Sequence, residues 1–178
     1  MADLRYPLPG GMELPAAASP TSRTQFFRWR DDWCLGIAAM DRDHQRLALL
    51  LDGLAAGFGG VDTDTEREGV FGLSGGASAP QRLLRELAAL ADETREHFAR
   101  EEALMRATDY PDFVEHRAEH EIMRAELIEL TREIAARGDH RLDQGTLCAL
   151  KAWFLGHLLD TDRRLARHLL ETGLGLRH

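Results

Sequence analysis

Cysteine is scarce in this chain: Cys34 and Cys148 are the only two, and neither stands in a CxxC or a Cys/His ligand spacing. A lone pair is no disulfide framework, so a reducing compartment is the expectation. Long apolar runs are missing too, which argues against a segment spanning a bilayer. The N-terminal stretch MADLRYPLPGGMELPAAASP carries Asp3 and Glu13, is cut by Pro7, Pro9 and Pro15, and lacks the apolar core of a signal peptide. A cytoplasmic protein follows by elimination. Basic excess is absent: the net charge is −8, which disfavours nucleic acid and anionic membranes as partners. Neither HExxH nor a P-loop occurs, and HRAEH at 116–120 does not match the zinc-peptidase pattern. No HD dipeptide occurs, against a metal-dependent phosphohydrolase of that type.

What is present is apolar periodicity. With 178 residues, 44% of them apolar and 29% charged, the chain is long enough for one domain with a sizeable core. Residues 1–25, rich in Pro, Gly and Ala, read as a poorly ordered tail. Trp29 and Trp33 then offer cover for one end of a core, and Asp41 a cap for the helix that follows.

Four amphipathic helices follow. The first, from about Asp41 to Phe58, has Met40, His44, Leu47, Leu51, Leu54 and Phe58 on one stripe. Residues 59–79, Gly-rich and acidic, are longer than an ordinary bundle connection and read as a flexible insertion. The second helix, Pro80 to Ala107, carries Leu83, Leu87, Leu90, Thr94, His97, Glu101 and Leu104 inward. Tyr110-Pro111 breaks the chain. The third helix, Pro111 to Arg137, carries Phe113, His116, His120, Met123, Leu127, Leu130 and Ile134, and Gly138 ends it. The fourth, Asp143 to about Thr172, is ambiguous on its stripe at His157 or Leu158 and at Thr161 or Asp162. His140, His168 and His178 read as solvated, and Met105 and Met123 as fillers of core gaps. The expectation is all-α: an up-down-up-down four-helix bundle over 26–172.

The stripes carry chemistry. His97 and Glu101 are four apart, as are His116 and His120, so each pair shares one helix face. His44, His157 and a carboxylate of the Asp160-Thr161-Asp162 segment add to them. No Lys or Arg lies on an inward stripe to pair with Glu101, so a metal is the expected source of positive charge. Imidazole with carboxylate and without thiolate suits iron, manganese, zinc or copper. The donors are too many for one ion, and two ions bridged by two carboxylates fit better. Such a pair keeps one position open for a small ligand. Spacing does not choose the last carboxylate: Asp162 lies about 140° around an α-helix from His157, whereas Asp160 is nearer its face.

These residues resemble the hemerythrin family, bacteriohemerythrins most of all. The pieces that carry the likeness are WRDDWCLGIAAMDRDHQRL, HFAREEALM, YPDFVEHRAEH and LKAWFLGHLLDTD, spread over roughly residues 29–170. The resemblance implies a di-iron centre, oxo- or hydroxo-bridged, in which His116, His120 and His157 hold one iron and His44 and His97 the other. Glu101 and Asp162 would bridge them, in preference to Asp160. It implies reversible O2 binding on the His44/His97 side, beside a pocket of Phe98, Trp153, Phe154 and Leu158. Carriage, storage, delivery and sensing are all compatible with this, by a monomer that serves an O2-consuming enzyme or stands alone. The alternative is a di-iron oxidase or peroxidase, or iron or nitric oxide handling, on the same bundle. The His-rich ligand set argues for binding over catalysis. The chain departs from the family in its long insertion, its extra tail, and Asp43 where many bacterial members have Gln.

Overall fold

The computed structural model describes residues 26–59 and 78–173. The expected tail, 1–25, and all but the ends of the expected insertion, 59–79, lie outside the described residues. Those ends are tied down: Ala79 opens a helix, and Leu142 N donates to Phe58 O at 2.8 Å beside Gly59.

The described chain is all-helical, without a strand. Its helices are α1 (Ala38–Phe58), α2 (Ala79–Ala107), α3 (Phe113–Arg137), α4 (Gln144–His157) and α5 (Arg163–Glu171). A π-helical turn, Leu158–Asp162, joins α4 to α5, so these three pieces form the fourth helix of a four-helix bundle. None of the helices is long and apolar enough to cross a membrane.

Local chemistry sets the ends. Helix α1 starts at Ala38, three residues earlier than expected, and Asp41 is not its cap. The Asp41 carboxylate reaches back and accepts from Leu35 N at 2.7 Å and Gly36 N at 3.1 Å, fixing the turn that feeds the helix. Gly36 there has φ +81°, a conformation that costs glycine little. Ser78 and Gln81 form a capping box on α2, with Pro80 in its first turn. Asp109, at φ 47°, and Pro111 separate α2 from α3, which starts at Phe113. Gly138 closes α3 in the left-handed conformation, as expected. Asp143 caps α4 by accepting from Thr146 N at 2.6 Å.

The core is apolar with one polar layer set in it. Leu47, Leu51, Leu54, Leu83, Leu87, Leu90, Leu127, Ile134, Leu147 and Leu150 fill it on one side of that layer, and Met40, Met105, Tyr110, Leu165 and Leu169 on the other. Met105, not Leu104, is the buried residue near the end of α2. A segment from Phe26 to Ile37 straps α1 and α4: Phe27 N donates to Asp52, and the Phe27 ring meets Phe154 edge-on at 5.4 Å. Trp33 and Trp29 meet edge-to-face beside it, as cover for that part of the core. The polar layer lies where α1 and α3 begin and α2 and α4 end.

Candidate metal centre

All seven expected donors meet in that layer. Helix α1 supplies His44, α2 His97 and Glu101, α3 His116 and His120, α4 His157, and the π-turn Asp162, and every one is buried. Their inner atoms form two groups, each with its donor atoms within 4.8 Å of one another. One is Glu101, His116, His120, His157 and Asp162; the other is His44, His97, Glu101 and Asp162. Both carboxylates belong to both groups.

The π-turn decides the carboxylate. Its i→i+5 bonding brings residues five apart close to one face. His157 Nε2 therefore stands 3.1 Å from Asp162 Oδ1, and the Asp162 side chain is 1% exposed. Asp160 points out, 80% exposed, toward Arg164. The same turn explains the double stripe of the fourth helix: His157, Leu158, Thr161 and Asp162 are all buried.

The donors do not satisfy one another. His44 Nε2 lies 3.1 Å from Asp162 Oδ2, and His116 Nε2 lies 3.2 Å from Asp162 Oδ1. Yet these atoms make no hydrogen bonds, and neither does either oxygen of Glu101. At Asp162 the distances suffice, so direction fails; at Glu101, His44, His97 and His116 stand too far off, at 3.6 to 3.8 Å. Among the described residues, the ion-pair partners of Glu101 and Asp162 within 4 Å are all histidines. Burial and the facing Asp162 carboxylate push the Glu101 carboxyl well up. Burial opposes charge on Asp162 as well, but His157, His116 and His44 hold it well below its ordinary value. Burial, with His157 and His116 alongside, holds His120 neutral, its pKa lowered to about 2. Burial pushes His97 down as well; it also opposes charge on His157, but Asp162 and Glu119 raise that imidazole. Two facing buried carboxylates with one raised imidazole remain short of positive charge, which a cation supplies. The residues present fit a metal.

A second ring of acids was not read from the sequence. Glu102 Oε1 lies 3.4 Å from His120 Nδ1, and Glu119 Oε2 lies 3.3 Å from His157 Nδ1. Asp43 stands 3.8 Å from His97 Nδ1, beyond hydrogen-bond reach. A carboxylate on Nδ1 holds the proton there and leaves the Nε2 lone pair facing inward, which ligation needs. Each acid is anchored by arginine: Asp43 by Arg100 at 2.7 Å, Glu102 by Arg106 at 3.0 Å, Glu119 by Arg164 at 3.9 Å. Burial raises the Asp43 carboxyl, but His97 and Arg100 outweigh it, and its pKa falls to about 2. The available signal was position. Each acid is next in sequence to a donor or, for Glu119, next to His120 on the side facing α4.

A cavity of about 10 Å3 touches His44, His97, His157 and Asp162. Leu47, Thr94, Phe98, Met123, Trp153 and Phe154 line the rest of it. Of the four expected pocket residues, Phe98, Trp153 and Phe154 are here. Leu158 does not line the cavity and belongs to the apolar core. Phe98 also stacks flat on His120, centroids 3.8 Å apart. A larger groove of about 320 Å3 between α3 and α4 contains none of the donors. His168, expected to be solvated, is half-buried: its Nε2 meets Thr108 O at 2.9 Å and its ring packs on Tyr110.

Fold and site define a class: a four-helix bundle with a buried metal centre of histidines and shared carboxylates. Residues 35–169 match the family model of the hemerythrin HHE cation binding domain, and the chain belongs to that family. It is 30% identical over 146 residues to a bacteriohemerythrin of Ralstonia nicotianae, covering 82% of this chain and 90% of that one. It is 33% identical over 99 residues to myohemerythrin-1 of Phascolopsis gouldii, covering 56% and 76%. A crystal structure of a mutant protein has the same fold, with TM-score 0.64 at 20% identity over 82% of this chain and 98% of that chain.

Proposed function

We propose that this protein binds dioxygen reversibly at a pair of iron ions in the polar layer. The observation that carries it is the pair of donor groups sharing Glu101 and Asp162. His116, His120 and His157 serve one ion, His44 and His97 the other, and the two carboxylates span them. The His44/His97 ion then has fewer protein donors, and both of these histidines line the cavity. When bound, the iron pair supplies the electrons that make dioxygen binding possible. The protein supplies the rest. Phe98, Trp153 and Phe154 keep water and protons from the cavity, which slows irreversible oxidation. Glu102 and Glu119 hold the inward lone pairs of His120 and His157.

The relatives named bacteriohemerythrin and myohemerythrin-1 support the dioxygen reading over an oxidase. We read the chain as a monomer. Its role in carriage, storage, delivery to an O2-consuming enzyme or sensing depends on affinity. The test is elemental analysis with absorption spectra of aerobic and deoxygenated protein. About two irons per chain and a band that cycles reversibly with oxygen are expected. One metal per chain, or a band that does not return, overturns the reading.

A further inference from the structure

Thr94 sits in the middle of α2, one turn before His97, and is 1% exposed. A threonine inside a helix ordinarily donates its hydroxyl to the carbonyl four residues back. Thr131, inside α3, does so to Leu127 O at 2.8 Å. Thr94 does not: its Oγ1 is buried and has no hydrogen-bond partner among the described residues. A buried hydroxyl left alone is costly, so such groups are rare without a ligand or water to complete them. Thr94 lines the cavity that touches His44 and His97. At about 10 Å3, the cavity admits one molecule of roughly the size of water. Of the other residues around it that are not metal donors, Leu47, Phe98, Met123 and Phe154 are apolar, and Trp153 carries a buried Nε1 that also lacks a partner among the described residues.

We propose that the Thr94 hydroxyl is the hydrogen-bond donor to the small ligand that occupies this cavity. The ligand class is a diatomic or triatomic molecule with an acceptor atom: dioxygen, with azide as an anionic probe. The proposal rests on the dioxygen reading of the same centre and adds the group that would hold and orient the bound molecule. A hydroxyl donor in a largely apolar chamber favours ligands that can accept a hydrogen bond over those of equal size that accept poorly, such as carbon monoxide.

The test uses Thr94→Val, which keeps the shape and removes the hydroxyl, and Thr94→Ser, which keeps the hydroxyl. Azide is titrated into the oxidised, iron-loaded protein, and the azide stretching frequency is recorded by infrared spectroscopy. Thr94→Val should weaken azide about tenfold, the worth of one hydrogen bond to an anion, and shift the stretch. Thr94→Ser should stay near the parent in both. The metal-free Thr94→Val protein should melt no lower than the metal-free parent, because no protein partner is lost. Unchanged azide affinity and frequency in Thr94→Val overturn the proposal. So does a clearly lower melting temperature without metal, or loss of iron in Thr94→Val alone, since either assigns the hydroxyl a structural role. A parent that binds azide but not dioxygen overturns the dioxygen reading and leaves the donor standing. A parent that takes up iron and binds neither overturns both.

Discussion

Asp160 and Asp162 show how far single residues could be assigned before the fold was in hand. On an ideal α-helix Asp160 has the better angle to His157, and spacing alone left the choice open. The buried side chain is Asp162. Asp162→Ala should therefore cut the iron content of purified protein to half of the parent or less, while Asp160→Ala leaves it unchanged. Equal retention in both variants would remove Asp162 from the ligand set. A second pair of residues separates along the same helix. Phe154 lines the cavity and Leu158 does not. Phe154→Ala should speed decay of the oxygenated band by letting water in, whereas Leu158→Ala should change that decay much less. Each truncation should cost about 2–5 kcal/mol in denaturant titrations, because both side chains are buried. Decay as slow in Phe154→Ala as in the parent would show that the ring does not guard the site. The inward histidines were legible because apolar periodicity marks a face, and any polar residue on that face stands out. Asp43, Glu102 and Glu119 were not, because an acid beside the stripe looks the same as one on a solvated surface.

At the scale of the element, the π-turn is what the sequence concealed and yet left traces of. Leu150, Phe154, Leu158 and Asp162 are all buried, three successive steps of four residues, where α1 alternates fours and threes. A run of fours is what one wide turn produces in a buried stripe. Deleting Leu159 should restore ordinary α-helical winding and leave Asp162 four residues after His157, still on the same face. Asp162 should then stay in the cluster, and Leu165 and Leu169 in the core. Far-ultraviolet circular dichroism should report a helical protein, and iron content should be close to that of the parent. Loss of iron in the deletion variant would mean that the wide turn itself is needed to aim Asp162. The starts of α1 and α3 were misplaced by a few residues for a related reason. Asp41 and Pro111 are boundary signals, but Asp41 acts backward on Leu35 and Gly36, and the break of Asp109 to Pro111 runs past the proline.

For the whole molecule, the polar layer makes stability depend on acid and on metal together. The metal-free protein holds His120 neutral, its pKa lowered to about 2 from an ordinary 6.5. Between those values the unfolded chain binds a proton that the folded chain refuses. The contribution of His120 to the stability of the metal-free bundle therefore falls as pH drops below about 6.5 and keeps falling toward 2, with the lowered Asp43 and Asp162 acting in the same sense and the raised His157 and Glu101 against it. Metal binding also needs neutral imidazoles, so acid releases the metal over the same range. Melting curves with and without iron from pH 8 to pH 4 should show both forms losing stability toward acid. The iron-loaded form should fall onto the metal-free one once its metal has dissociated. Protonation of His120 in the folded, metal-free protein between pH 6.5 and pH 4, read by NMR, would contradict this account of the buried histidine.

The centre also imposes an order in time. His44 lies near the start of the described chain, and Asp162, the last donor, near its end. A nascent chain therefore exposes His44, His97, His116 and His120 well before His157 and Asp162, which emerge almost together. On the proposed two-ion reading, metal can be seated only after almost the whole domain has been synthesised, and loading would be a final step of maturation rather than a guide to early folding.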